Sequence, residues 1–171
     1  DMLTSVIVGN NLNTNNLNLV PSTRTDTISF AYRDMDFDSG NVITLQGATT
    51  VSTTTARLTA NTATGAAAVQ PYDVLLIESD TSQVMGMATA VSGTNTFDLA
   101  PGDPLGLNQA MNGTGINGSL LRQCTGPTDT NCTTYVATAK RVFLITYKVK
   151  ADGTLVRIIY GNNRGQGASA Q

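Results

Sequence analysis

Apolar and polar residues alternate with a period of two along much of the chain. Ile28, Phe30 and Tyr32 share one parity and Ser29, Ala31 and Arg33 the other, as in a half-buried strand. The parity then changes. Met35 and Phe37 become the apolar positions while Asp34, Asp36 and Asp38 face the opposite way, which predicts a bulge or bend near Arg33. Ser39-Gly40-Asn41 reads as a turn, with Val42 to Leu45 returning as the partner strand. Between residues 47 and 69 Thr and Ala dominate, and Thr49 to Thr59 is expected as an edge strand because β-branched Thr suits a half-solvated pleat.

Tyr72 to Glu78 is the most apolar short run, bounded by Pro71 and by Ser79-Asp80, and predicts a buried strand. Gln83 to Val91 is its expected hairpin partner, and Gly93 to Phe97 gives a further turn and short strand. Gly, Asn and Pro then dominate from Pro101 to Thr134, a loop long enough to need a staple or a function. Two strong runs, Arg141 to Lys150 and Thr154 to Tyr160, flank Ala151-Asp152-Gly153. Asp-Gly between β-branched and aromatic runs is a hairpin signal. At the other end, Met2 to Val8 is too short for periodicity to separate helix end from strand, and Gly9 to Asn16 ends it with turn residues. The fold class expected is α+β to mainly β, an antiparallel sheet in one domain over residues 1–171 with a flexible tail from about 161.

Composition agrees with this pattern. The charged share is 13%, against about a quarter in ordinary domains, and Thr, Asn, Ser and Gly fill the gap with residues suited to strands, turns and loops. A net charge of −2 gives no strong overall field. Six of the ten basic residues, Lys140, Arg141, Lys148, Lys150, Arg157 and Arg164, nevertheless lie in the last third. On a strand Lys148 and Lys150 project from one face, so Lys140, Arg141, Lys148 and Lys150 are the candidates for weak, secondary contact with DNA phosphates.

Cys124 and Cys132 enclose a short turn-rich segment and are expected to form a disulfide. The chain-entropy model gives a loop of this size about 2.5 kcal/mol. A disulfide places the protein in an oxidising compartment such as the periplasm or cell exterior.

The chemistry the chain can perform is narrow. It has no His, so Ser-His-Asp and Cys-His nucleophile systems and imidazole metal ligands are excluded. No phosphate-cradling or dinucleotide-binding glycine motif follows a strand. Asp34-x-Asp36-x-Asp38 begins like a calcium loop, but Ser39 stands at the turn-glycine position and Leu45 at that of the bidentate Glu. One solvated strand face explains the same spacing. No enzyme activity, cofactor or metal is expected.

Three blocks carry a resemblance. Thr25 to Asp34 is similar to the "D-x-[IL]-x-[FV]-x-Y-x-D" strand of the PilW-type minor pilins, themselves similar to the J-type pseudopilins of type II secretion. Tyr72 to Ser79, continued by Val84 to Val91, resembles that family's "G-D-hydrophobic run" and second strand, with Tyr72 where the family often has Gly. Val142 to Val149 followed by Asp152 to Arg157 is similar to its "Y-x-V" strand and "G-x-L-x-R" ending. The resemblance implies a pilin-like β head whose N-terminal helix is largely absent from this fragment. Asp1 in place of a start Met fits that expectation. It further implies a subunit anchored in the inner membrane by that helix, facing the periplasm and later part of a type IV pilus at the cell surface. Its partners would be other major and minor pilins, with consequences for adhesion, twitching or DNA uptake. The alternative from another class is a sugar- or surface-binding β module of an adhesin or phage fibre.

Overall fold

The computed structural model describes residues 5–13, 25–50, 55–62, 65, 68–79, 83–108, 137–150 and 152–162. Among them are ten strands: β1 Ser5–Asn13, β2 Thr25–Arg33, β3 Ile43–Thr50, β4 Ala56–Ala60, β5 Val74–Ser79, β6 Gln83–Met87, β7 Ala90–Ser92, β8 Thr96–Leu99, β9 Ala137–Val149 and β10 Leu155–Tyr160. The fold is mostly antiparallel sheet with almost no helix. No helix among the described residues is long and apolar enough to cross a membrane.

The chain packs as two compact units. Asp34–Val142 forms one of them. Its strands run β6-β5-β9-β3-β4-β8-β7, so Ala139 of β9 has Ile77 on one side and Ile43 on the other. Leu58 and Phe97 are cross-strand partners without solvent exposure, each worth about 1.5–3 kcal/mol of burial, and they join Leu45, Leu75, Ile77 and Leu99 in the core. Arg57 and Asp98 are also partners, joined by two hydrogen bonds of 2.7 and 2.8 Å that hold the guanidinium above its ordinary pKa.

The other unit draws on Asp1–Arg33 and Phe143–Gln171. Here the order is β1-β2-β9-β10, with Ile145 opposite Ile159. Phe143, Ile145, Tyr147 and Ile159 pack on one face, where Phe30 meets Tyr147 edge-on and Tyr32 tilts against Phe143 at 5.4 Å between ring centroids. The β9–β10 connection is the hairpin expected from Asp152-Gly153. Lys150 N–H donates to the Thr154 carbonyl, Gly153 N–H to the Lys150 carbonyl, and Gly153 takes the left-handed φ of 84° that this loop needs. Thr154 N–H donates to the Asp152 carboxylate and holds its pKa below the ordinary range.

Three expectations are corrected. Asp34, Asp36 and Asp38 do not line a solvated strand face, because β2 ends at Arg33 and the chain enters a left-handed turn at Asp38, Ser39 and Gly40, with φ of 47, 56 and 79°. Residues 43–45 pair with β9 and β4 rather than returning along β2. The Thr-rich edge strand is replaced by β4, an interior strand between β3 and β8. Small Ala56 and Ala60 face inward on either side of Leu58, and their neighbours supply the bulk. The expected Cys124–Cys132 disulfide, most of the long loop, the run before Ser5 and the tail beyond 162 lie outside the described residues.

Candidate functional site

The most constrained polar cluster in Asp34–Val142 is built on Arg141. In β9 the inward parity runs Ala137, Ala139, Arg141, so the guanidinium points where an apolar side chain would ordinarily go and is only 3% exposed. Its Nε donates to Asp73 at 2.9 Å and its Nη1 to Asp34. Asp73 is fully buried and also accepts from Gln70 N–H at 2.8 Å, while Asp34 accepts from Asp36 N–H at 3.0 Å. The backbone closes the same corner, with Asp34 N–H donating to the Arg141 carbonyl at 2.9 Å. One guanidinium thus fixes the first residue after β2 and the residue before β5. A planar fork can hold two carboxylates in this way; a Lys ammonium has no such geometry.

Each acid has an exposed neighbour. Met35 follows Asp34 and is 63% exposed; Tyr72 precedes Asp73 and is 50% exposed. Tyr72 is the third residue of the turn Gln70–Asp73, closed by Asp73 N–H on the Gln70 carbonyl at 3.1 Å. Its φ of 70° after Pro71 is the type II geometry that prefers Gly at this place. A bulky side chain there costs of order 1–3 kcal/mol, offset only in part by the flexibility a glycine would add to the unfolded chain. Tyr72→Gly is therefore expected to stabilise the protein by about 0.5–1 kcal/mol, read as a higher urea midpoint at unchanged m-value. A lowered midpoint would show that the ring's packing outweighs the backbone strain.

The four candidate DNA-contact residues are divided between the two units, Lys140 and Arg141 falling in Asp34–Val142. Arg141 is enclosed by its two carboxylates, which overturns its reading as a surface cation. Lys140 is ion-paired with Glu78, which also accepts from the Gln83 amide at 2.9 Å. Lys148 is half-buried and Lys150 exposed, both in the unit containing Phe143–Gln171.

Two other features have the form of sites. A groove of about 280 Å³ in the four-stranded unit lies beside Ser29, Ala31, Leu144, Thr146 and Tyr160. The Ser29 and Thr146 hydroxyls bond each other at 2.7 Å, so the groove offers apolar walls and a self-satisfied polar spot. In the larger unit, Asp103 accepts from the N–H groups of Leu105, Leu107 and Asn108. The Asn108 amide then pairs with both N–H and carbonyl of Met87, at 3.0 and 2.7 Å, acting as a substitute strand residue at the end of β6. Neither combines a nucleophile with a base. Among the described residues no group of three or more Cys, Asp or Glu is placed to hold a metal ion.

The Arg141 cluster is what sequence reasoning missed. A charge at the inward parity of an apolar strand signals a buried partner, and Asp73 directly before the most apolar run was available to supply it. Compared with known proteins, the chain matches no family model, no curated protein and no solved structure.

Proposed function

We propose that the protein is a non-enzymatic minor pilin or pseudopilin subunit that takes part in type IV pilus assembly by binding sister pilins. The observation that carries this reading is the meeting of the three family-like blocks at Arg141. Asp34 ends the first, Asp73 is the second residue of the second and Arg141 immediately precedes the third. The left-handed backbone at Tyr72 supports it independently, since the similar family often has Gly at that place. The role draws on shape and surface, and the intact subunit would act from the inner membrane and periplasm and then within the pilus. DNA contact is confined in this reading to Lys148 and Lys150, and two phosphate contacts give only weak binding without sequence preference.

Deleting the gene in its source bacterium is expected to reduce surface pili and twitching. Normal piliation, twitching and transformation in the deletion strain would reject the assembly role.

A further inference from the structure

Two patches on this chain, each within one unit, have complementary character. The first is Met35, Asp36 and Tyr72. Met35 and Tyr72 are the large hydrophobic side chains exposed in Asp34–Val142 among the described residues, their neighbours Asp34 and Asp73 meet on Arg141, and Asp36, next to Met35 in sequence, is exposed. Beneath it, Arg141 is shared by Asp34 and Asp73, two carboxylates on one guanidinium, so the ionic groups there add to the acidic character and not to the basic. The patch is thus apolar with one acidic edge.

The second patch lies on the β9–β10 hairpin. Leu155 is 66% exposed and Arg157 is exposed on the same parity of β10, opposite Val149 and Tyr147, which are half-buried. This patch is apolar with a basic edge. Lys150 stands nearby, partly balanced by the Asp152 carboxylate.

We propose that these patches bind each other between two copies of the chain: Met35–Asp36–Tyr72 of one copy seats on Tyr147, Val149, Leu155 and Arg157 of the next. The inference rests on the pilin reading only in naming a sister subunit as the partner, and here that sister is a second copy of this chain. Asp36 meets Arg157, and the Tyr72 ring offers its face to the same guanidinium. The strain at Tyr72 points the same way. A tyrosine held in a glycine conformation and half exposed costs the free subunit stability, and burial of its ring against a partner would offset that cost. Because the surfaces differ, the contact is heterologous, and successive copies extend head to tail unless their rotation closes a ring. A contact of so few residues belongs with transient interfaces under about 1,200 Å², so the association is weak.

Sedimentation velocity on the purified chain tests this. The wild type is expected to sediment faster as its concentration rises into the high micromolar range. Tyr72→Gly and Leu155→Ser should each weaken association at least about ten-fold. The first is expected to raise the unfolding midpoint, so its loss of association cannot be assigned to unfolding. Mixing the two variants leaves one intact pair of patches and should give a 1:1 complex and nothing larger. Asp36→Lys and Arg157→Glu should each weaken association singly and restore it when combined in one chain. A wild type that stays monomeric, variants that associate like the wild type, or a mixture that forms no pair would overturn the proposal. None of these results touches the pilin reading, which stands or falls on piliation in the deletion strain.

Discussion

Replacing Arg141 by methionine is expected to lower the unfolding free energy by about 3–5 kcal/mol, a large share of a marginal total. The side chain itself packs well. The loss arises because Asp34 and Asp73, 8% and 0% exposed, keep their burial and lose their counterion. Asp73 keeps the Gln70 N–H among its partners and Asp34 the Asp36 N–H, and neither backbone donor supplies the positive charge that Arg141 brought to the two carboxylates. Arg141→Lys should also lose stability, because an ammonium cannot reproduce both fork bonds. Removing all three charges, with Asp34→Asn and Asp73→Asn added to Arg141→Met, should recover more than half of the loss. Urea unfolding monitored by circular dichroism measures each step. A single Arg141→Met variant as stable as the wild type would show that the cluster is energetically idle.

Ile145→Asp is expected to be comparably damaging through a different cause. Ile145 is 3% exposed, faces Ile159 across the hairpin and packs with Phe143 and Tyr147. A carboxylate there has no cation to meet in this cluster, and its burial costs several kcal/mol. The methyl and methylene groups removed add a transfer and cavity loss of about 2–5 kcal/mol, as for other large-to-small core changes. Thermal unfolding should show a strongly lowered midpoint or no folded baseline at all. An unchanged midpoint would place Ile145 at the surface.

What the sequence disclosed depended on how local the cause was. β5 was legible because Pro71 and Ser79 bracket a continuous apolar run, and the β9–β10 hairpin because Asp152-Gly153 fixes its own loop. The β5–β6 hairpin was legible only in part: Gln83 to Val91 was expected as one partner of β5, whereas Gln83–Met87 pairs with β5 and Ala90–Ser92 is a separate strand, β7, paired with β8. Residues 34–40 were misread because Met35 and Phe37 mimic strand alternation, whereas the buried state of Asp34 depends on a partner 107 residues away. β4 was misread because Ala56, Leu58 and Ala60 have little bulk of their own, and only Phe97 and Leu99 on β8 make them interior. Arg141 looked like one more basic residue of the last third until Asp73, 68 residues earlier, came to meet it. Exposed Tyr72 carried a hint in Pro71, which favours a turn whose next residue has positive φ.

The order in which the chain is synthesised gives Arg141 a further consequence. The four-stranded unit takes its strands from both sides of Asp34–Val142, so the larger unit is an insertion within the smaller one. Ser29 and Thr146, bonded in the smaller unit, are 117 residues apart in sequence, and closing so long a loop from an unfolded chain costs roughly 4 kcal/mol of entropy in its length-dependent part. The larger unit is continuous and can form as soon as Val142 has emerged from the ribosome. Once it has, the 2.9 Å hydrogen bond from Asp34 to Arg141 holds the two exits of the chain together. Only about ten residues of free loop then separate Ser29 from Thr146, which removes roughly 2 kcal/mol of that entropy. Arg141 thereby acts as a staging point for vectorial folding: the inserted unit folds first and delivers β2 and β9 to each other, and β10 completes the sheet as the last strand synthesised.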